Sequence, residues 1–278
     1  MIKTFSFIII AILGFQYSSS VTVKAITYNI RLATTADREN QWDNRKEEVA
    51  AFLLDQHADF IGIQEALWEQ VEFLAGRLGE YEYIGVGRDD GNEKGEAMLI
   101  FYKKDKWKLD GDRTLWLSDT PKKVSKGWDA ACNRTLTQGV FEHKSGKRLA
   151  VWNTHFDHVG QKARRNSVDL ILEQAANKTM EIPIILMGDF NLTPDTDLYS
   201  QLNSVFTDSA LSSTHKKSLH EGTYNGFDIE SKCERRIDYI FYNGETVKAT
   251  NYHVPAPKTN KNLHLSDHLP VITEFELK

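Results

Sequence analysis

The sequence has few of the features that mark specialised classes of protein. No internal repeat, low-complexity tract or linker rich in proline and glycine divides residues 21–278, which predicts one domain over that range. The Gly-x-Ser-x-Gly, Walker, Cys-x-x-Cys and His-Glu-x-x-His motifs are missing, which argues against the enzymes that carry them. Positive charge is not in excess, because the formal net charge is −5. A protein that coats duplex DNA by bulk charge is therefore not expected.

Long apolar runs are confined to the first twenty residues. Lys3 is followed by an almost wholly apolar stretch over residues 5–15 and then by the small residues 18–20. This order predicts a secretory signal peptide over residues 1–20, with an uncleaved N-terminal anchor as the alternative. No later stretch is apolar enough to cross a bilayer. We therefore expect a secreted or periplasmic protein with no stable membrane insertion after cleavage.

Cysteine is rare, since Cys132 and Cys233 are the only two. An exported chain permits a disulfide between them, and two free buried thiols are an equally supported alternative. Tryptophan is more frequent. Trp42, Trp116 and Trp128 are predicted to pack in the core, with the lining of a cleft as the alternative.

Short apolar or alternating runs predict eight strands, and amphipathic patterns between them predict three helices. The strand runs cover residues 21–30, 60–64, 97–102, 139–142, 149–155, 182–187, 236–242 and 271–277. The helical patterns cover residues 44–57, 67–78 and 162–177. Strands and helices mix without strict alternation. This favours an α+β fold with sheets inside and helices outside.

Six short segments place carboxylate, amide or imidazole groups at or near the ends of strand-like runs. They are Thr27-Tyr-Asn-Ile-Arg, Ile63-Gln-Glu, Asn153-Thr-His-Phe-Asp-His, Gly188-Asp-Phe-Asn, Arg236-Ile-Asp-Tyr-Ile-Phe and Ser266-Asp-His-Leu-Pro. Six such segments in one modest domain predict one polar site built from many strand ends. A site of this kind suits a hard metal ion and a phosphate.

Strand alternation predicts which of these side chains share a face. Asn153, His155 and Asp157 are expected to point one way. Arg236 and Asp238 are expected to share one side of their strand. If the chain stays extended after Gly188, Asp189 and Asn191 also fall on one side, where a carboxylate beside an amide can orient a water and hold a phosphoryl oxygen.

The remaining polar residues suggest the other parts of a site. Glu65 and Asn29 offer oxygen ligands to a metal, although a helix start and a turn also account for them. His268 can exchange a proton near neutral pH and needs an orienting carboxylate. Asp238 is favoured for that role, because the adjacent Asp267 faces the opposite way and suits the metal side.

Two further residues are candidates for contact with a phosphate. His155 lies on the polar face of its strand and can donate to a phosphate oxygen. Arg134 can do the same with a permanent charge. Either side chain can equally be a structural hydrogen-bonding group.

Taken together, these segments resemble the endonuclease/exonuclease/phosphatase superfamily, which has the deoxyribonuclease I-like fold. The resemblance spans nearly all of residues 22–278, with the segments in the same order as in the family. It implies a four-layer α/β/β/α sandwich, with two mainly antiparallel or mixed sheets inside and helices outside. It also implies hydrolysis of a phosphoester with Mg²⁺ or Mn²⁺ as cofactor.

The resemblance also implies roles for individual residues. Asn29, Glu65 and Asp267 match metal-side positions. The remaining matches are to catalytic or phosphate-contacting positions: His155, Asp189, Asn191, Asp238 and His268. Arg134 joins His155 and Asn191 as a substrate-binding candidate. Whether Asp189 or His268 takes the proton of the attacking water stays open.

We therefore expect an exported, monomeric phosphodiesterase of nuclease type that attacks the phosphorus in line with water. Its partner would be a phosphoester substrate, with nucleic acid among the candidates. One alternative is a phosphomonoesterase or phospholipase-type hydrolase acting on inositol phosphates or lipid head groups. A second alternative is a binding module of the same fold that lacks catalysis.

Overall fold

The chain is described by a computed structural model over residues 20–177, 182–218 and 221–278. The predicted signal peptide lies outside the described residues, apart from Ser20. Across the described ranges, no helix combines the length and the apolar character that a bilayer crossing requires.

Two mixed β-sheets form the centre of the protein. The seven-stranded sheet contains β1 (Val21–Asn29), β2 (Phe60–Ala66), β3 (Tyr81–Ile84), β4 (Ala97–Lys103), β10 (His215–Ser218), β12 (Val247–Val254) and β13 (Val271–Leu277), in the order β10-β12-β13-β1-β2-β4-β3. The six-stranded sheet contains β5 (Trp107–Trp116), β6 (Thr135–His143), β7 (Arg148–His155), β8 (Ile184–Asp189), β9 (Thr207–Asp208) and β11 (Asp238–Asn243), in the order β5-β6-β7-β8-β11-β9. The pairs β1–β2, β7–β8 and β10–β12 are parallel, and the other pairs are antiparallel.

Helices lie outside the two sheets. The α-helices are α1 (Lys46–Asp55), α2 (Trp68–Arg77), α3 (Gln161–Ala176), α4 (Asp197–Asn203) and α5 (Ser209–Ser212), and short 3₁₀ segments cover Thr35–Asn40 and Trp42–Asn44. One apolar cluster fills the space between the sheets. A second packs α1 and α2 on the seven-stranded sheet, and a third packs α3 and α4 on the six-stranded sheet. The predicted four-layer α+β sandwich is confirmed.

The two sheets approach each other closely where β2 faces β8. A Cβ atom added at Gly62 would lie 2.8 Å from Cε of Met187, so a larger residue would push the sheets apart. A little further along β2, Gln64 Nε2 donates across the interface to Asn153 Oδ1 at 2.7 Å. This buried amide pair fixes the relative position of the sheets just below the strand ends that carry the polar residues.

One expected side-chain direction is wrong. Arg236 lies two residues before the first residue of β11, so strand alternation does not apply to it. Its guanidinium forms an ion pair with Asp208 at 2.8 Å and lies over the ring of Tyr239, 4.7 Å from the centroid. Arg236 therefore packs with the aromatic core of the outer layer rather than beside Asp238.

Candidate active site

Strand register brings polar residues from both sheets to one edge of the sandwich. Asn29 ends β1 and is paired with Gln64 of the parallel strand β2. His155 ends β7 and is paired with Asp189, the last residue of the parallel strand β8. Asp238 begins β11 directly opposite Asp189. Because parallel strands end at the same edge, the backbone places these groups together before any side chain is considered.

Glu65 departs from the regular geometry of its strand. Its φ is 65°, in the left-handed region that few residues other than glycine adopt, and the pairing of β2 with β4 shifts between Ile63 and Ala66. The carboxylate accepts hydrogen bonds from Asn29 Nδ2 at 2.9 Å and from the Leu32 amide at 3.2 Å. A bulge of this kind re-aims a side chain, and here it turns Glu65 toward the polar site.

Asp189 lies at the centre of the site and is almost fully buried. Its Oδ2 atom is 3.1 Å from Asn29 Nδ2, 3.3 Å from His155 Nε2 and 3.7 Å from His268 Nε2. Gly188, with φ 150°, is required before it, because an added Cβ would collide with Thr154 O. Burial and the nearby Asp238 carboxylate raise the pKa of Asp189 to about 7.

Asn191 reaches the site by a turn rather than along an extended chain. Its φ is 47°, so the chain does not stay extended after Gly188, which was the condition for placing Asp189 and Asn191 on one side by strand alternation. The side-chain Nδ2 still lies 3.2 Å from His155 Nε2 and donates to Phe156 O at 3.1 Å. Phe190 packs edge-on against Phe156 with a centroid distance of 5.0 Å, which anchors the turn in the outer core.

Asp238 holds His268 from the side opposite Asp189. The Asp238 Oδ2 and His268 Nδ1 atoms are 2.8 Å apart, and Thr223 Oγ1 donates to the same carboxylate oxygen at 2.6 Å. Burial lowers the pKa of His268, but the Asp238 and Asp189 carboxylates more than offset this and hold it well above its usual range. The two carboxylates therefore favour the imidazolium form of His268, and it is Asp238 rather than Asp267 that bonds to it.

His155 lies in a more cationic environment. Burial, followed by the charge of Arg134, holds the pKa of His155 well below its usual range, so the imidazole is neutral. Arg134 Nη2 lies 2.9 Å from His158 Nδ1, and its Nη1 is 3.9 Å from Glu96 Oε2. The same Glu96 oxygen forms a 2.6 Å ion pair with Arg88 and lies 3.9 Å from His155 Nδ1. Buried charges of both signs thus surround His155.

The carboxylates form a site that fits a hard divalent cation. Single ligand atoms of Glu65, His155 and Asp189 lie within 4.8 Å of one another, and the same holds for Asp189, Asp238 and His268. Burial and the neighbouring Glu65 carboxylate raise the pKa of Asp267. Buried, mutually repelling carboxylates are stabilised by a divalent cation, and their oxygen atoms are the ligands that Mg²⁺ and Mn²⁺ prefer.

Three residues of the site were not identified from the sequence. Glu96 precedes β4, which runs antiparallel to β2, so its position at the start of a strand was a usable signal. Arg88 and Thr223 lie in irregular segments and reach the site only through tertiary contacts. No local pattern distinguishes these two from ordinary loop residues.

The geometry agrees with comparisons to known proteins. The sequence profile of the endonuclease/exonuclease/phosphatase family matches residues 26–268, which is most of the chain. The chain belongs to this family. It is a metal-dependent phosphoester hydrolase, as the resemblance predicted, and its fold is that of its relatives.

Two solved structures of this family are similar over their full length. An endonuclease/exonuclease/phosphatase from Bacteroides vulgatus is 36% identical, with a TM-score of 0.87 over 93% of this chain and 100% of that chain. A mannosyl-6-phosphatase from Bacteroides thetaiotaomicron is 34% identical, with a TM-score of 0.86 over 91% of this chain and 99% of that chain.

Other relatives are proteins of greater length. Nocturnin from Drosophila melanogaster is 25% identical over 288 residues, which cover 85% of this chain and 42% of Nocturnin. The Ccr4 exoribonuclease subunit from Mycosarcoma maydis is 24% identical over 314 residues, which cover 46% of its length. The chain thus spans less than half of each of these two proteins.

Proposed function

We propose that the protein removes a terminal phosphoryl group from a phosphorylated sugar, with Mg²⁺ or Mn²⁺ as cofactor. The observation that carries this proposal is the unused donor capacity of Arg134. Its Nε and Nη1 atoms are buried and form no hydrogen bond in the described part of the chain, where their nearest acidic neighbours are Asp157 Oδ2 at 3.5 Å and Glu96 Oε2 at 3.9 Å. A phosphomonoester carries nearly two negative charges near pH 7, and a diester carries one. A buried guanidinium therefore stabilises a bound monoester more strongly.

The comparisons support a sugar phosphate as the substrate class. The mannosyl-6-phosphatase matches this chain at higher identity than Nocturnin or Ccr4 does, and over nearly the full length of both chains. The net charge of −5 also disfavours a long polyanionic substrate. Both observations favour a small phosphorylated group over a nucleic acid strand.

Different residues of the site bind the phosphoryl group, accept a proton and donate a proton. Asn191 and the neutral His155 orient a phosphoryl oxygen, and Arg134 offsets its negative charge. Asp189, with a pKa of about 7, accepts the proton of the attacking water in its ionised form. The His268 imidazolium, held by Asp238, donates to the leaving oxygen. We assign the proton transfers in this way because the ionised Asp189 carboxylate can accept a proton, whereas the raised pKa of His268 favours a proton donor.

Glu65, Asn29 and Asp267 would hold the divalent cation. Such an ion polarises the phosphoryl oxygen and offsets the charge that develops on the leaving oxygen. Asn29 also positions Glu65 and Asp189 directly, because its Nδ2 lies within 3.1 Å of a carboxylate oxygen of each.

A substrate comparison tests the proposal. With Mg²⁺, mannose 6-phosphate should release inorganic phosphate faster than bis-(p-nitrophenyl) phosphate releases nitrophenol, and EDTA should abolish both reactions. Arg134→Met should lower kcat/KM for the monoester by at least roughly 10², while Arg165→Met, on the exposed face of α3, should leave it unchanged. Diester hydrolysis without phosphate release from any sugar phosphate would refute the proposal.

Phosphodiester hydrolysis of nuclease type, the activity predicted from the sequence, is the second candidate. It is favoured by the alignment with the Ccr4 exoribonuclease subunit, which covers 85% of this chain. Single-stranded RNA and DNA oligomers in the same panel distinguish it from the first. Shortening of an oligomer at a rate above that of mannose 6-phosphate turnover would place this candidate first.

We also propose that the protein is exported and acts as a monomer. The support for export is Lys3 and the apolar stretch over residues 5–15. N-terminal sequencing of protein recovered from outside the cytoplasm should begin near residue 21. An intact N-terminus in the cytoplasm would contradict export. Light scattering should give a mass slightly below the 31.8 kDa of the full chain, and twice that mass would contradict the monomer.

A further inference from the structure

A second concave site lies on the outer face of the six-stranded sheet. It is a groove of about 1350 Å³ beside α3. Val140 and Trp152 contribute to its floor, and Leu170 and Gln174 of α3 contribute to one wall. Small-molecule pockets enclose roughly 300–1,000 Å³, so this groove is large enough for a chain of several linked rings.

The charges that line the groove nearly cancel. Five carboxylates face four lysine or arginine side chains along it. A nucleic acid strand would be repelled by the carboxylates as strongly as it is attracted by the basic groups. The lining therefore favours a neutral ligand that forms many hydrogen bonds.

A polar network crosses the groove from the sheet to the helix. Arg113 on β5 donates from Nε to Gln138 Oε1 at 2.6 Å and from Nη2 to Gln174 Oε1 at 2.9 Å. Gln138 is 5% exposed, and its Nε2 has no hydrogen-bond partner among the described residues. A buried amide donor without a partner is costly, so its place on a groove wall points to an acceptor supplied by a ligand.

Tryptophan adds flat apolar surface to this polar lining. Trp128 is half-buried, and its indole Nε1 donates to Asp119 Oδ1 at 2.8 Å, which fixes the ring orientation. Trp152 of β7 lines the same groove and is almost fully buried. Indole faces beside planar amide, carboxylate and guanidinium groups match a sugar, whose faces carry C–H groups and whose edges carry hydroxyls.

The segment that carries Trp128 also leads to the polar site of the sandwich edge. Asp129 Oδ1 accepts from the Ala163 amide at 2.7 Å, which ties the segment to the start of α3. Two residues later, the Ala131 amide donates to Asp157 Oδ2 at 3.0 Å, and Arg134 then lies beside His158. The groove and the phosphate-side arginine are therefore joined by a few residues of one ordered loop.

We propose that this groove binds the neutral oligosaccharide part of a glycan whose phosphorylated sugar is hydrolysed at the polar site. The inference rests on the proposed sugar-phosphate hydrolysis and names the larger molecule to which that sugar belongs. The near balance of charge along the groove disfavours a polyanion, and the indoles and the unpartnered Gln138 Nε2 favour a polyhydroxylated chain.

Binding and turnover test the two proposals separately. Isothermal titration of the EDTA-treated full chain with mannotetraose, maltotetraose and cellotetraose should detect binding of at least one of them. Trp128→Ala and Gln138→Glu should each weaken that affinity at least about tenfold. Gln138→Glu keeps the acceptor for Arg113, removes the donor and adds one negative charge. Both variants should hydrolyse free mannose 6-phosphate at the wild-type rate.

Two matched variants control for folding and charge. Trp68→Ala truncates a half-buried tryptophan on α2, and Gln56→Glu makes the same charge change just beyond α1. Neither should alter tetrasaccharide affinity. Absence of binding by all three sugars, or equal affinity in the groove variants, would overturn the inference, as would tighter binding of a thymidine tetranucleotide at the groove. Sugar binding without hydrolysis of any sugar phosphate would instead refute only the proposed function.

Discussion

The Asp238 carboxylate and the His268 imidazole form a buried pair whose Oδ2 and Nδ1 atoms lie 2.8 Å apart. Thr223 Oγ1 donates to the same oxygen and accepts from the backbone amides of Ile237 and Asp238, each at 3.1 Å. The orientation of His268 is therefore set by backbone geometry through a short chain of hydrogen bonds. Removing the charge of Asp238 should change the protonation of His268 without changing the fold.

The first prediction concerns this pair. Asp238→Asn should lower kcat by at least roughly 10², because the amide cannot stabilise the imidazolium that donates a proton. His268→Ala should cause a similar loss, and the double variant should lose little more, since the two residues act as a unit. Asp55→Asn, at the exposed end of α1, controls for the loss of a carboxylate. Near-normal turnover in either single variant would contradict the assignment.

A second prediction follows from the raised pKa of Asp189. The folded value is about 7 and the unfolded value is about 4, so between these pH values the folded state binds a proton that the unfolded state has lost. In metal-free protein, this group therefore lowers the free energy of unfolding as the pH rises from about 4 to about 7. Asp189→Asn should remove that contribution, although Asp238, His155 and His268 still titrate nearby.

Urea denaturation of EDTA-treated protein measures this effect. Between about pH 5 and about pH 7, the wild type should lose more stability than Asp189→Asn. The same variant should turn over substrate at least roughly 10² more slowly when Mg²⁺ is present. An identical pH dependence of stability in the two proteins would show that Asp189 is not the group responsible.

The third prediction concerns the cation. Glu65→Gln should weaken the binding of Mn²⁺, measured by isothermal titration, by at least roughly tenfold, because a charged oxygen ligand is lost. Glu69→Gln makes the same change four residues later on the exposed face of α2 and should bind Mn²⁺ like the wild type. Equal affinity in the wild type and Glu65→Gln would remove Glu65 from the cation site.

The fourth prediction concerns the cysteines, which are both free thiols in the structure. Burial and the charge of Asp238 raise the pKa of Cys233 to about 12. Burial also raises the pKa of Cys132, but its thiol is only half-buried and is the more accessible of the two. Iodoacetamide at about pH 8 should therefore label native protein once, at Cys132, and unfolded, unreduced protein twice. Unfolded protein that takes up no label before reduction would reveal a disulfide instead.

Strands with a continuous apolar run were predictable from the sequence, and strands interrupted by polar residues were not. The strand β8 is buried throughout, and its predicted bounds differ from the observed ones by two residues. In contrast, β5 and β12 were missed, because polar residues interrupt both strands and neither has a continuous apolar pattern. The strands β3, β9 and β10 contain only two to four residues, too few for a reliable periodicity.

The sequence by itself determined the family, the four-layer architecture and the chemical types of the site groups. The family and its four-layer architecture follow from the resemblance carried by the six ordered segments. The types of the site groups follow from local order, because a carboxylate, amide or imidazole at the end of a buried strand emerges at the edge of a sheet. The tertiary structure alone decided which groups touch. It placed Glu96 beside His155, Thr223 behind Asp238 and Arg236 in the outer core, because each contact joins residues from separate segments and is set by packing between them.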